Sequence, residues 1–406
     1  MRLFSCFNLK AIVFSLLTLS TLLRFVFASE MIPTPRPTVD AKSWILIDFD
    51  SGKVLAEGNA DVKISPASLT KIMTSYVIGQ AIKQRTINLE DKVSINRDAW
   101  VSGNPTLYGS SAMFLKLGER ASVKDLNKGI VIQSGSDACI AMADYIAGNQ
   151  SSFIKLMNAY AHNLGLNNTI FKTVHGLNDA GEFTTARDMA FLAKALIHDL
   201  PQEYALYKEK DFTYNNIHQY SKNKLLWNSD LNVDGLKTGT TSEDGFNIVA
   251  SAAIDKMRLI SVVLNAKNDY IRFQESEKLL AWGFRNFEKF EIKNEGSAFT
   301  SHRVWLGDKK FIELNIGNSS TILIPKGKIK DINVSYSIDN EKIIAPVKKG
   351  QQIGKATFKI GNSVIEERPL IAMETIDEGG GFSKVWDYLL MKINSWTGFC
   401  LSCEYK

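Results

Sequence analysis

Three short strings hold the side chains from which a serine acyl-transfer site is assembled: Ser68-Leu69-Thr70-Lys71, Ser134-Gly135-Ser136 and Lys237-Thr238-Gly239. A serine hydroxyl attacks a carbonyl only when a base removes its proton, and a lysine is that base only if burial or a neighbouring cation lowers its pKa. Lys71 follows Ser68 by three residues, so on a helix the two project from one face, with Lys237 as the candidate neighbouring cation. Ser134 is a candidate proton shuttle between Lys71 and the leaving group. Lys237 and Thr238 offer a cation and a hydroxyl to a substrate carboxylate, and Gly239 lets a ligand's backbone lie close to its strand. Taken singly, S-x-x-K most often marks a capped helix with a surface lysine, and S-G-S a turn. Their order and local contexts carry the argument.

These residues need elements to hold them. Ser65 is the expected N-cap and Pro66 the first helical residue, which puts Ser68 in the first turn, where its N–H has no intrahelical partner and points where an anionic oxygen could be held. Apolar residues at three- and four-residue spacing predict helices over Lys71 to Lys83, Lys124 to Ala147, Ser151 to Leu164, Thr185 to His198 and Arg272 to Phe287. The second string is read as a loop before the small-residue helix Asp137 to Ala147. Ser43 to Asp48 and Lys53 to Glu57 predict a hairpin around Asp50-Ser51-Gly52. Phe246 to Ile254 and Met257 to Ala266 predict buried strands joined at Asp255-Lys256, with Lys237-Thr238-Gly239 on an edge strand before them. Strands at both ends of a helical middle imply a mixed α/β (α+β) unit, an antiparallel sheet with helices packed on it.

From Lys289 to Asp377 short alternating runs (Phe311 to Asn315, Thr321 to Ile324, Ile332 to Tyr336, Thr357 to Ile360) predict a small all-β domain without chemistry of its own. Gly379-Gly380-Gly381 then reads as a hinge. In the last segment Phe382, Val385, Trp386, Leu389, Leu390, Ile393 and Trp396 recur at helical spacing, with Lys384, Asp387 and Lys392 elsewhere on the wheel. That amphipathic helix is too short and too charged to span a bilayer and suits an anionic membrane surface; a docking helix against protein is the alternative.

At the other end, Ala11 to Leu23 is apolar behind Arg2 and Lys10, and Val26-Phe27-Ala28 suits cleavage, so residues 1–28 are expected to be a signal peptide; Arg24 leaves an uncleaved anchor as the rival. The expected organisation is therefore signal peptide 1–28, catalytic domain 29–288, small all-β domain 289–377, and hinge with anchoring helix 378–406. Composition agrees. The 406 residues are 45% hydrophobic and 22% charged, enough for two folded units, and the net charge of +5 is scattered, which argues against nucleic-acid binding. His162, His175, His198, His218 and His302 lack metal-ligand spacing, so no metal is expected. Cys139 reads as a buried small hydrophobe, and Cys400 and Cys403 form a C-x-x-C without the βαβ context of a redox motif.

Ser65 to Gln80, Gln133 to Asp144, Val174 to Ala190 and Val233 to Ala252 together resemble the low-molecular-mass class C penicillin-binding proteins, serine-type D-alanyl-D-alanine carboxypeptidases. The resemblance extends to the β-rich second domain and the C-terminal anchor. It implies the transpeptidase/β-lactamase-like fold, no cofactor, and an acyl-enzyme on Ser68 with Lys71 as base, Ser134 as second-motif serine and Lys237 binding substrate beside Thr238 and Gly239. Arg272 matches a family arginine that helps hold the terminal carboxylate, and the oxyanion donors match the N–H groups of Ser68 and Thr240. The implied reaction removes the last D-alanine from peptidoglycan stem pentapeptides, with β-lactam antibiotics acylating Ser68, at the periplasmic face of the inner membrane. Two positions depart from the pattern: Ser136 stands where the family usually has Asn, and Thr240 where close relatives often have His. Two rivals remain. A class A-like β-lactamase needs a glutamate before Thr184, yet 165–178 holds no acidic residue, with Asp179 and Glu182 close by; a non-catalytic envelope scaffold would have lost Ser68 or Lys71.

Overall fold

Ala41–Asp48 (β1) and Val54–Gly58 (β2) form the expected hairpin, closed where the Ser51 N–H and hydroxyl both donate to the Asp48 carboxylate, at 2.9 and 2.6 Å. The computed structural model describes residues 35–177, 180–241, 245–292, 297–317 and 321–397, with side chains to Lys392. The expectations for residues 1–28, for Asp179, Cys400 and Cys403, and for the side chains of Ile393 and Trp396 fall outside the described residues. The chain divides into two units, one of 36–299 with 317–329 and one that includes 300–316 and 330–397.

In the first unit the hairpin is followed by helices Thr70–Lys83 (α1), Val123–Lys128 (α2), Ser136–Ala147 (α3), Gln150–Asn163 (α4) and Ala186–Asp199 (α5). Strands Val233–Thr241 (β3), Gly245–Ile254 (β4) and Met257–Ala266 (β5) and helix Asp269–Asn286 (α6) complete it. The five strands pair antiparallel in the order β2-β1-β5-β4-β3, so the Lys237 strand is an edge, as predicted. Side chains alternate between the faces of a strand. Ile45, Ile47, Val249 and Val262 therefore enter the larger core with α1 to α5, and Trp44, Leu46, Ile248 and Val263 the smaller core with Leu279 and Leu280 of α6. Because both faces are covered, these strands read as mostly apolar runs without strict alternation.

The single helix expected over Lys124 to Ala147 is two helices. After α2 the chain passes through a π-type turn, Gly129–Gln133, and Ser134 adopts the left-handed conformation at φ 69° before α3. The loop reading of Ser134-Gly135-Ser136 anticipates a break here; the π-type turn before it escapes the spacing because Gly129 to Ile132 are buried like the helices on either side. Strand Thr321–Pro325, expected in the second domain, pairs antiparallel with Phe287–Glu291 and clusters with the first unit.

The second unit holds a six-stranded sheet in the order 332–338, 352–360, 363–372, 311–315, 300–305, 343–344, antiparallel except for its last pair. Helix Gly381–Thr397 (α7) follows. Asp387, placed by spacing away from the apolar stripe, is buried instead: its carboxylate accepts from Arg303 Nη2 at 3.0 Å and from the Leu306 N–H at 2.8 Å. The polar side of α7 thus faces its own unit, whereas Phe382, Val385, Trp386 and Leu389 are exposed, Phe382 by 90%. Among the described residues no helix is long and apolar enough to cross a membrane.

Candidate active site

Helix α1 is buried from Thr70 through Gly79 without interruption, so it is a central helix and not the one-sided one its spacing suggests. Its polar side chains must then find partners, since an unpaired buried hydroxyl or amine is costly. Each has one. Thr70 Oγ1 donates to Glu182, Thr74 Oγ1 to the Val174 carbonyl at 2.6 Å, Ser75 Oγ to Glu203, and Lys71 Nζ to the His175 carbonyl at 2.6 Å.

The turn that presents Ser68 differs from the expected cap. Ser65 is not the N-cap; Pro66 is, without a side-chain bond, and a 3-10 turn over Ala67–Leu69 carries Ser68 ahead of α1. Ala67 lies at φ 50°, and the Ser65 carbonyl accepts from Asn247 Nδ2 at 3.2 Å, which directs the chain away from a regular helix start. Lys71 Nζ is 3.1 Å from Ser68 Oγ. Two glycines allow this crowding. A Cβ on Gly176 would fall 1.7 Å from the Ala67 carbonyl oxygen, and one on Gly239 would fall 2.9 Å from the Pro66 carbonyl oxygen and 3.2 Å from the Leu69 nitrogen. Gly239 therefore makes room for the nucleophile's own turn, where the sequence suggested room for a ligand.

Lys71 is 1% exposed, and burial lowers its pKa against the opposing pull of Cys139, Glu182 and Asp137. Burial, rather than the neighbouring lysine, is thus the leading cause. The reverse coupling is visible on Lys237, which burial first and Lys71 second push well below the ordinary lysine range. Two mutually repelling ammonium groups at this depth favour a neutral amine. His175 is held neutral, its pKa lowered to about 3 by burial and by Lys71, and its Nδ1 accepts from the Leu177 N–H at 3.1 Å. Glu182 is buried, with one carboxylate oxygen bound by Thr70 at 2.8 Å and the other by Thr173 at 3.0 Å.

The second string lies where α2's continuation ends. Ser134 is buried, and the Ser136 N–H donates to the Ser111 carbonyl at 2.8 Å, while the Ser136 hydroxyl has no partner among the described residues. Asp137, fully buried, accepts from the N–H groups of Met113, Leu115 and Ala138 at 3.0, 3.2 and 2.9 Å.

On β3, Lys237 is 2% exposed and its Nζ donates to the Thr238 carbonyl at 3.1 Å, so the amine is sunk below the strand edge. Arg272 arrives from α6. Its Nη1 donates to the Gly239 carbonyl and to Thr240 Oγ1, both at 2.9 Å, and its Nη2 pairs with Asp269. The Thr240 hydroxyl, accepting from this guanidinium, keeps its own proton to donate elsewhere.

All nine residues singled out by sequence belong to this first unit. Spacing could not reveal the His175 carbonyl, the Glu182 carboxylate or Asp137, because a main-chain acceptor or a buried strut has no residue-type signature. No group of metal-ligating side chains occurs among the described residues.

Residues 30–268 match the family model "D-alanyl-D-alanine carboxypeptidase", and 287–378 match "Penicillin-binding protein 5, C-terminal domain". The chain is 58% identical over 372 residues to the D-alanyl-D-alanine carboxypeptidase DacC of Escherichia coli K12, which covers 92% of this chain and 93% of the relative. It is 49% identical over 362 residues to DacA of the same strain, covering 89% and 90%. The solved structure of penicillin binding protein 5 from Haemophilus influenzae is similar at 43% identity and TM-score 0.82, over 85% of this chain and 99% of that one.

Proposed function

The chain belongs to the D-alanyl-D-alanine carboxypeptidase family and is a serine-type carboxypeptidase; from that premise we propose that Ser68 forms the acyl-enzyme, with Lys71 as its base. One observation carries the assignment: a lysine amine 1% exposed, its pKa lowered by burial, 3.1 Å from a serine hydroxyl at the mouth of a strained turn. Neutral Lys71 donates to the His175 carbonyl and keeps its lone pair for the Ser68 proton. The Ser68 oxygen then attacks the carbonyl between the two terminal D-alanines of a stem pentapeptide. Ser134 relays the proton to the departing D-alanine nitrogen, the C–N bond breaks, and water releases the tetrapeptide from Ser68. The N–H groups of Ser68 and Thr240 hold the oxyanion. Lys237, Thr238 and Thr240 take the terminal carboxylate, with Gly239 admitting the Ser68 turn, Arg272 aligning Thr240, and Ser136 lining the second motif. β-Lactams, which resemble the dipeptide, acylate the same oxygen.

The Glu182 environment favours this reading over a class A-like β-lactamase. Both of its oxygens are bound by threonines, Thr70 and Thr173, which makes it a strut between α1 and Thr173. We further infer export and attachment of α7 to an anionic membrane surface, supported by its exposed Phe382, Val385, Trp386 and Leu389.

The test of the site is labelling. Penicillin should attach covalently to Ser68 as read by peptide mass, and Ser68→Ala should lose both the adduct and D-alanine release while its circular dichroism and melting are unchanged. An adduct that persists in Ser68→Ala would place the nucleophile elsewhere.

A further inference from the structure

Phe114 combines two features that do not serve folding: it sits in the left-handed region, at φ 64°, and its ring is half exposed. The backbone conformation has a cause. The N–H groups of Met113 and Leu115 donate to Asp137 Oδ1 and Oδ2, and the Phe114 N–H between them is turned to the same carboxylate. Successive N–H groups converge on one anion only when the handedness of the backbone changes along the run. On the far side, Gln219 Nε2 donates to the Met113 carbonyl at 3.3 Å. Both clamping residues are buried, so residues 113–115 are held on two sides.

The clamp accounts for the backbone and leaves the phenylalanine unexplained. Glycine or asparagine adopts this conformation at less cost, and a ring outside both cores gains little from folding. Its location supplies a use. The Ser136 N–H donates to the Ser111 carbonyl at 2.8 Å, and a Cβ on Gly135 would fall 3.3 Å from the Met113 nitrogen, so this loop lies directly along the second string. Asp137, which holds the loop, is three residues after Ser134. On the proposed reading the terminal carboxylate, which departs with the last D-alanine, is taken on β3, which leaves the Phe114 loop beside the second string to the acyl side of the scissile bond.

We propose that Phe114 is a specificity-determining contact of the acyl-transfer site, an apolar wall for substrate groups on the acyl side of the scissile bond, with Asp137 as its positioning residue. The inference rests on the Ser68 site reading. Whether an adduct maps to Ser68 tests that reading; how acylation rates divide between two compounds tests this one.

The measurement is the acylation rate constant for benzylpenicillin, which carries an apolar acyl side chain, and for 6-aminopenicillanic acid, which lacks it, in the full chain and in Phe114→Ala and Phe114→Tyr. Removing an apolar wall should cost about tenfold with benzylpenicillin. The rate with 6-aminopenicillanic acid should change less than about twofold, and Phe114→Tyr should keep the parent's ratio between the compounds. Equal losses with both compounds would make Phe114 a support of the loop alone, and no loss with either would remove it from the site; each result overturns the proposal.

Discussion

As the proposed base, Lys71 must lose its proton to act, and burial is the leading cause that lowers its pKa. Lys71→Arg keeps the charge and cannot release its proton at accessible pH, so acylation should fall about a thousandfold. Lys237→Arg keeps a hydrogen-bond donor at the carboxylate end and should lose roughly tenfold. Equal losses in stopped-flow acylation would make Lys71 structural. Because its pKa is lowered, the parent's acylation rate should reach its plateau below the pH at which an exposed lysine titrates; a rate still rising in that range would refute a depressed base. Thr240 gives a second residue-scale prediction. If Arg272 acts through the Thr240 hydroxyl, Thr240→Val and Arg272→Gln should each raise KM for a D-Ala-D-Ala peptide, and the double variant should be little worse than either single one. Additive losses would mean that Arg272 reaches the substrate on its own.

Among the elements, α1 carries Lys71 directly behind the Ser68 turn, and it is tied by Glu203. That carboxyl, buried in the short 201–204 helix, receives Ser75 Oγ from α1 and Asn127 Nδ2 from α2, the latter at 2.6 Å. Burial pushes its pKa up to about 7 from 4.5. A raised carboxyl binds its proton more tightly in the folded chain than in the unfolded one. Its contribution to stability is therefore complete below about pH 4.5 and is lost as pH rises through about 7, a change of about 3 kcal/mol across that window. Urea unfolding from pH 4.5 to 8 should show this slope, and Glu203→Gln should flatten it. Identical slopes would mean that the carboxyl ionises freely where it sits. Helix α7 is held by Asp387 in the same sense, since removing it strands Arg303 and the Leu306 N–H. Asp387→Ala should speed amide exchange across 381–392 by at least about tenfold, corresponding to the loss of a buried paired charge.

For the whole molecule, the proposed acyl-transfer site and the proposed attachment helix fall in different units of the chain. The nine site residues lie within 68–272, while the exposed apolar side chains of α7 follow 381. Trp386→Glu with Leu389→Glu changes only exposed positions and leaves Asp387 in place. The double variant should stay in the supernatant with anionic liposomes that sediment the parent protein, and should hydrolyse a soluble D-Ala-D-Ala peptide at the parent's rate. If parent and variant partition alike, α7 serves a protein contact. A loss of soluble-peptide activity would instead tie the helix to the catalytic unit.

Local spacing in the chain carries the proposed chemistry and the order of its parts. Ser68 and Lys71 at three-residue spacing, Lys237-Thr238-Gly239 before two apolar runs, and the hairpin at Asp50-Ser51-Gly52 are all local signals, and each folds nearly where its spacing puts it. The tertiary structure decided what local signals cannot contain. That α1 is buried from Thr70 through Gly79 depends on elements distant in the chain packing around it, and this burial is what lowers the Lys71 pKa. The break at Gly129–Gln133, the inward turn of Asp387 and the exclusion of any side chain at Gly239 depend on surfaces supplied by distant segments. A periodic pattern records that a residue is apolar or polar. Which partner satisfies a buried Lys71, Glu203 or Asp137 is set by chain segments up to 128 residues away, and that pairing exists only once the chain has closed on itself.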